Sequence, residues 1–186
     1  MLISHDHRFV YLAPIRTGST SISAILCDVF GATIYTDQFF GVDPYPRHDI
    51  GLPKQYEDYF VFASVRNPYD RAISAYNWIN RSMVTPVQVS ETLIDPPLMR
   101  TLFDTIFDNP IQENCVPVRL DAYLKLETLE EDFQKLPFVN QLQRFPHENA
   151  APKIIDTLDD TSIDYVQKHY QKDFEYFGYD IVKLYL

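Results

Sequence analysis

Two short stretches of this chain carry residues whose types and spacing suit the holding of phosphate groups. The first is Ile15-Arg16-Thr17-Gly18-Ser19-Thr20-Ser21, which follows the apolar, β-prone run Phe9-Val10-Tyr11-Leu12. Gly18 permits a tight turn. Ile22, Ile25, Leu26 and Val29 then recur at the spacing of one helix face. A strand that turns directly into a helix aims backbone N–H groups at one spot, where the helix dipole adds partial positive charge. Arg16 strengthens the attraction for an anion, and the Ser19, Thr20 and Ser21 hydroxyls offer both ligand contacts and a helix N-cap. An ordinary β–α turn with a Ser/Thr cap explains this stretch, taken alone, equally well.

The second stretch is Arg66-Asn67-Pro68-Tyr69-Asp70, at the end of the continuous apolar run Phe60-Val61-Phe62-Ala63-Ser64-Val65. Such a run suits a strand covered on both faces. Asn67 is placed to cap a helix, Pro68 to occupy its first position, and Asp70 to sit in its first turn. Ser74 lies eight positions after Arg66. A guanidinium pairs with phosphate in a bidentate way, so Arg66 and Ser74 make a second clamp. A salt bridge from Arg66 to Asp70, and a solvated Ser74, are the plain alternatives. In an open parallel sheet ligands bind beyond the carboxyl ends of the strands. Two clamps at that end together predict a nucleotide with phosphates on both sides.

The elements that must position these residues follow in order. Ala32 to Tyr35 reads as a short strand, and 36–59 as Pro- and aromatic-rich loops with a short helix near 53–59. Residues 82–97 form a polar, Pro-punctuated loop or lid, followed by a helix over 98–107 and a loop around Cys115. Leu120 to Leu126 reads as a third core strand with Glu127 at its end, then a helix over 128–136. A loop over 146–153 precedes a last helix capped by Ser162. Strands alternating with helices predict an α/β chain with a mainly parallel sheet.

Composition limits the classes of function. With 186 residues and 46% apolar content, the chain suits one domain, 1–186, with a real core. A net charge of −10 argues against a broad nucleic-acid surface. Cys27 and Cys115 lack neighbours at zinc spacing, which argues against structural zinc or a disulfide scaffold and fits a reducing compartment. The polar start and the absence of a long apolar run predict a soluble, cytoplasmic protein without a membrane segment. No metal ligand set stands out. Oligomeric state stays open.

These motifs resemble those of the sulfotransferases that use 3′-phosphoadenosine 5′-phosphosulfate (PAPS), in particular the carbohydrate-type branch with compact bacterial and phage-like members. Residues 15–21 resemble that family's 5′-phosphosulfate loop, usually Pro-Lys-Thr-Gly-(Ser/Gly)-Thr-Ser. Residues 65–71, followed by Ser74-Ala75-Tyr76, are similar to its 3′-phosphate motif nearly letter for letter. Leu124-Lys125-Leu126-Glu127-Thr128-Leu129 with Asp132-Phe133, His147-Glu148-Asn149-Ala150-Ala151 with Lys153, and Tyr170 with Asp173-Phe174 and Phe177-Gly178-Tyr179 extend the likeness. It runs from about Ile3 to Asp180 and is thinnest over 82–118, an acceptor-side lid or insertion. The family's loop Lys is Arg16 here and the preceding Pro is Ile15, with Pro14 one place earlier.

The resemblance implies a three-layer P-loop-NTPase-like fold with helices flanking a mainly parallel sheet. It implies sulfuryl transfer from PAPS to an acceptor hydroxyl of a carbohydrate or small alcohol, releasing adenosine 3′,5′-bisphosphate (PAP). Arg16, Thr17, Gly18, Ser19, Thr20 and Ser21 would hold the 5′ side, with Arg16 also catalytic. Arg66 and Ser74 would hold the 3′-phosphate, and Lys153 would close over the nucleotide; a solvated loop lysine is the alternative. His48 is the candidate general base, since His suits that work near neutral pH, against the alternative of a surface histidine. Glu127 would orient the base or the acceptor, or else pair with Arg71 or Lys125. Phe39, Phe40, Tyr45 and Trp78 are candidate acceptor walls or core. A small-metabolite kinase is the competing enzyme, opposed by the missing Walker pattern. A PAP- or PAPS-binding module without transfer activity is the non-enzymatic alternative.

Overall fold

The computed structural model describes residues 1–35, 51–82, 100–108, 114–141, 145 and 153–182. Alternating apolar side chains build its central sheet. Strands β1 (Leu2–Ser4), β2 (Phe9–Leu12), β3 (Thr33–Ile34), β5 (Phe60–Val65) and β7 (Ala122–Lys125) lie in the order β3-β1-β2-β5-β7. The short strands β4 (Leu52–Pro53) and β6 (Cys115–Val116) form a separate antiparallel pair. The centre is parallel: β2 pairs with β5, and β5 with β7. The β1–β2 and β1–β3 pairs are antiparallel, an edge that the sequence reading did not anticipate. Its cause is the short connection over residues 5–8, which can close a hairpin but cannot make the crossover that a parallel pair needs.

Period-two alternation sends Phe9, Tyr11 and Phe62 to one face and Val10, Leu12, Val61, Ala63 and Val65 to the other. The first face is covered by α1 (Ser19–Phe30) and α4 (Leu129–Gln134), through Ile22, Leu26, Phe30 and Phe133. The second is covered by Leu102 and Ile106 of α3 (Leu102–Ile106) and by Phe177 of α6 (Gln171–Phe177). The molecule is therefore mixed α/β, with helices flanking both faces of the sheet. Among the described residues no helix is long and apolar enough to cross a membrane.

Three local expectations are corrected. Val29 is 51% exposed; Phe30 takes the buried place, because α1 buries residues four apart at 22, 26 and 30. No hydroxyl caps α1: Gly18 occupies the N-cap in a left-handed conformation without a side-chain hydrogen bond. The final helix is split at Tyr170 into α5 (Asp160–His169) and α6, and Asp159 rather than Ser162 caps α5. Ser162 instead donates its backbone N–H to the Asp159 carboxylate at 2.7 Å.

Helix α2 (Pro68–Asn80) starts as expected, with Tyr69 N–H donating to Asn67 Oδ1 at 3.0 Å and Pro68 in the first turn. Its small residues Ala72 and Ala75 pack against Val166, Tyr170 and Phe174. Asp173, buried in α6, accepts the backbone N–H groups of Leu102 and Phe103, both at 2.8 Å, and so pins α3 to the last helix. Burial pushes its carboxyl above the usual range, against the pull of Arg71 and those two donors. Asp173→Ala leaves two N–H groups without their acceptor. We expect it to lower stability by about 2–3 kcal/mol, measured by urea unfolding; a loss near zero would show that α3 does not depend on this anchor.

Candidate functional site

The parallel register brings three strand ends to one edge. Leu12 lies beside Ala63, and Val65 beside Lys125, so residues 13–18, Arg66 and Leu126 follow their strands at the same end of the sheet. Helices α1 and α2 both begin there, and their dipoles add positive potential to that edge.

The loop between β2 and α1 is shaped by two left-handed residues, Arg16 at φ 64° and Gly18 at φ 77°. At Gly18 a Cβ would also stand 2.5 Å from Leu126 Cδ1. The loop therefore packs tightly on the chain that leaves β7. The Arg16 guanidinium donates to Ser74 Oγ of α2 through Nε at 3.1 Å and through a terminal nitrogen at 2.8 Å. Arg16 and Ser74, expected on opposite clamps, are thus in direct contact. Burial pushes the Arg16 guanidinium down to about 10, and the neighbouring charges of Arg66 and Arg81 push in the same direction. Arg16 stays cationic at neutral pH.

Arg66 is half-buried, and burial lowers its pKa, while Asp70, Glu127 and Tyr179 raise it and Arg71 lowers it. Its guanidinium makes no hydrogen bond or ion pair with any described residue. The expected alternative, a bridge to Asp70, is not formed. The guanidinium groups of Arg66 and Arg81 thus both lie within electrostatic reach of Arg16, in a protein whose net charge is −10. That arrangement is unfavourable alone and favourable around an anion.

The hydroxyls divide. Thr17 is fully buried; its hydroxyl donates to the Pro14 carbonyl at 2.7 Å and lies 2.6 Å from Ser64 Oγ. Only the Thr17 backbone is left to face a ligand. Ser19, Thr20 and Ser21 form the first turn of α1, whose N-terminus has no acidic residue. Lys153 is exposed. Its neighbours are stapled to α2 by Asn77, whose Oδ1 accepts Ile154 N–H at 3.0 Å and Ile155 N–H at 2.9 Å, and whose amide donates to the Ile155 carbonyl at 2.9 Å. This late loop therefore reaches the helix that carries Ser74, one turn further along. His48, His147 and the aromatic residues Phe39, Phe40 and Tyr45 lie outside the described residues.

Some participants were missed or misassigned by sequence reasoning. Glu127 pairs with neither Arg71 nor Lys125; it accepts Asn67 N–H at 2.7 Å and the Tyr179 hydroxyl at 3.0 Å. Burial, with the Glu127 charge next, pushes the Tyr179 hydroxyl far above its usual range, so it remains a donor. Lys125 Nζ donates to the Gly178 carbonyl at 3.0 Å and lies over the Tyr179 ring at 4.5 Å. Trp78, read as an acceptor wall or as core, has the Arg81 guanidinium 4.0 Å and the Arg16 guanidinium 5.8 Å from its ring. Arg81, which follows Ser74 by two helical turns and by that spacing shares its face, is given no role in the site by the sequence reading. Among the described residues no group of three or more His, Cys, Asp or Glu side chains is placed to hold a metal ion.

Comparison with known proteins adds one match. The family described as "Sulfotransferase family" matches residues 1–180. No curated protein and no solved structure matches the chain.

The loop geometry yields a test. Gly18→Ala puts a side chain on a left-handed backbone, which costs about 1–2 kcal/mol, and forces Leu126 to shift. We expect the loss in chemical denaturation, and we expect the backbone share to persist in the Leu126→Ala background. Full recovery in that background would make the Leu126 contact, not the backbone, the reason for glycine.

Proposed function

We propose that this chain, which belongs to the sulfotransferase family, moves the sulfuryl group of PAPS to an acceptor hydroxyl of a carbohydrate or small alcohol and releases PAP. The observation that carries the reading is the half-buried Arg66 guanidinium, without a hydrogen-bond or ion-pair partner among the described residues, beside the Arg16–Ser74 contact. The donor set fits such a nucleotide: cationic side chains and an uncapped helix start suit phosphate and sulfate oxygens. The strand–loop–helix unit of β2 and α1, with β5 and β7 alongside in parallel, supports a three-layer P-loop-like arrangement within a single domain. Cys27 and Cys115 are both free, which supports a reducing, cytoplasmic setting.

PAPS, when bound, supplies the sulfuryl group and a phosphate leaving group that needs no proton. Arg16 and the backbone of residues 17–21, with the Ser19, Thr20 and Ser21 hydroxyls, hold the 5′ side and stabilise charge that grows there during transfer. An arginine serves in place of the family's usual lysine because the work is electrostatic rather than proton donation. Arg66 and Ser74 hold the 3′-phosphate, and Lys153 covers the nucleotide from the late loop. His48 takes the proton of the acceptor hydroxyl as its oxygen bonds to sulfur and the bond from sulfur to the leaving phosphate breaks. These groups mainly position the reactants in line.

Calorimetric titration with PAP, with ADP and Mg-ATP in parallel, tests the reading. We expect PAP to bind best and Arg66→Ala to weaken it by roughly 10- to 100-fold, the loss expected for hydrogen bonds to a charged group. Preference for Mg-ATP would overturn the donor assignment in favour of a kinase. For His48→Ala we expect unchanged PAP affinity and transfer reduced on the order of a hundredfold; full transfer activity in that variant removes His48 as the base.

A further inference from the structure

The 5′ loop carries a cost that its own residues do not explain. Arg16, a non-glycine residue, sits in the left-handed region at φ 64°. That conformation is strained for an L-residue and persists only where the surroundings hold it. Beneath the loop lies a line of hydroxyls that the nucleotide contacts do not use. Tyr11 of β2, Ser64 of β5 and Thr17 of the loop are all fully buried. Tyr11 OH is 2.7 Å from Ser64 Oγ, which is 2.6 Å from Thr17 Oγ1, which is 2.7 Å from the Pro14 carbonyl oxygen.

Proton counting gives this line a direction. Each hydroxyl has one proton to donate. The Pro14 carbonyl can only accept, so Thr17 donates to it. Thr17 Oγ1 must then accept from Ser64, and Ser64 Oγ from Tyr11. The chain runs one way and ends on the carbonyl two residues before Arg16. Removing the Thr17 hydroxyl leaves the Pro14 carbonyl without this donor and the Ser64 proton without its acceptor, and removing the Tyr11 hydroxyl takes from Ser64 the donor it has in this line. Ser64 also lies two residues before Arg66, which directly follows β5, so the line fastens the 5′ loop to the strand that leads into the 3′ clamp.

We propose that Tyr11, Ser64 and Thr17 are positioning residues that lock the 5′ loop and set its distance from Arg66. In this account the Thr17 hydroxyl serves the loop from below and never touches the nucleotide. The assignment of the loop to the 5′ side rests on the sulfotransferase reading above; the lock itself does not.

The test compares Thr17→Val, Thr17→Ser and Tyr11→Phe with the wild type. Affinity is measured for PAP and for adenosine 3′-monophosphate, which lacks the 5′-phosphate, together with amide exchange at residues 15–20 without nucleotide and the thermal midpoint. We expect Thr17→Val and Tyr11→Phe to weaken PAP about tenfold or more, which is about 1.4 kcal/mol, to leave adenosine 3′-monophosphate nearly unchanged, and to speed exchange in the loop. Thr17→Ser keeps the hydroxyl and restores both. Unchanged PAP affinity with unchanged exchange overturns the lock. Equal losses for both nucleotides, following the thermal midpoint, also overturn it, because they mark general destabilisation. If the wild type binds neither nucleotide, the 5′ assignment falls, and the exchange rates alone decide whether the loop is locked.

Discussion

The parallel pairing of β2 with β5 and of β5 with β7 is the constraint on which the site depends. Parallel strands leave the sheet in one direction, so the loop before α1, the Arg66 junction and the turn at Leu126 gather at a single edge. Two helices begin there, with their dipoles adding to the charge of the Arg16 and Arg66 guanidinium groups. In antiparallel order the same residues would alternate between the two ends of the sheet. Strand β1 is antiparallel to both of its neighbours, so β3, on its far side, again runs in the direction of β2 and ends at the same edge.

The positive charge is offset at Arg66 by the nearby carboxylates of Asp70 and Glu127, and it is carried on parts tied together by hydrogen bonds. Helix α2 is the main one. It is unusually polar in its buried face, with Arg71, Asn77 and Asn80 inside. Asn77 staples residues 154–155, while Arg71 donates to the Arg100 carbonyl at 2.9 Å and approaches the Ile15 carbonyl at 3.4 Å. These polar groups cost little in burial because each is matched to backbone partners. The result is that loops from three distant parts of the chain are referred to one helix, the helix that also carries Ser74. Glu127 does similar work on the other side, joining the Asn67 backbone to Tyr179 near the end of the described chain.

Much of this was legible in the sequence. The two strand–turn–helix junctions stand where the apolar runs of residues 9–12 and 60–65 end, with Asn67 and Pro68 acting as read. Sheet alternation, the Asn cap and the first-turn proline act between near neighbours, so local rules suffice. Val29 and Ser162 show the limit of those rules. A hydrophobic residue at helical spacing can fall just outside the buried line when a larger one, Phe30, is available one place later. A cap position is chosen among several polar residues by which one meets the N–H groups, and Asp159 does so.

Sequence by itself determined that this chain is an α/β protein with phosphate-suited residues at two strand ends, because the periodicities and residue chemistries involved span only a few positions. Only the tertiary structure decided which polar groups meet. Arg16 reaches Ser74 across 58 positions, Thr17 reaches Ser64 across 47, and Glu127 reaches Asn67 across 60. Such pairings follow from strand register and helix packing, which shift a side chain by ångströms without any change in local pattern. The Thr17 hydroxyl illustrates the reason best: its residue type suits a ligand contact and a buried bond equally, and the position of β5 directs it inward.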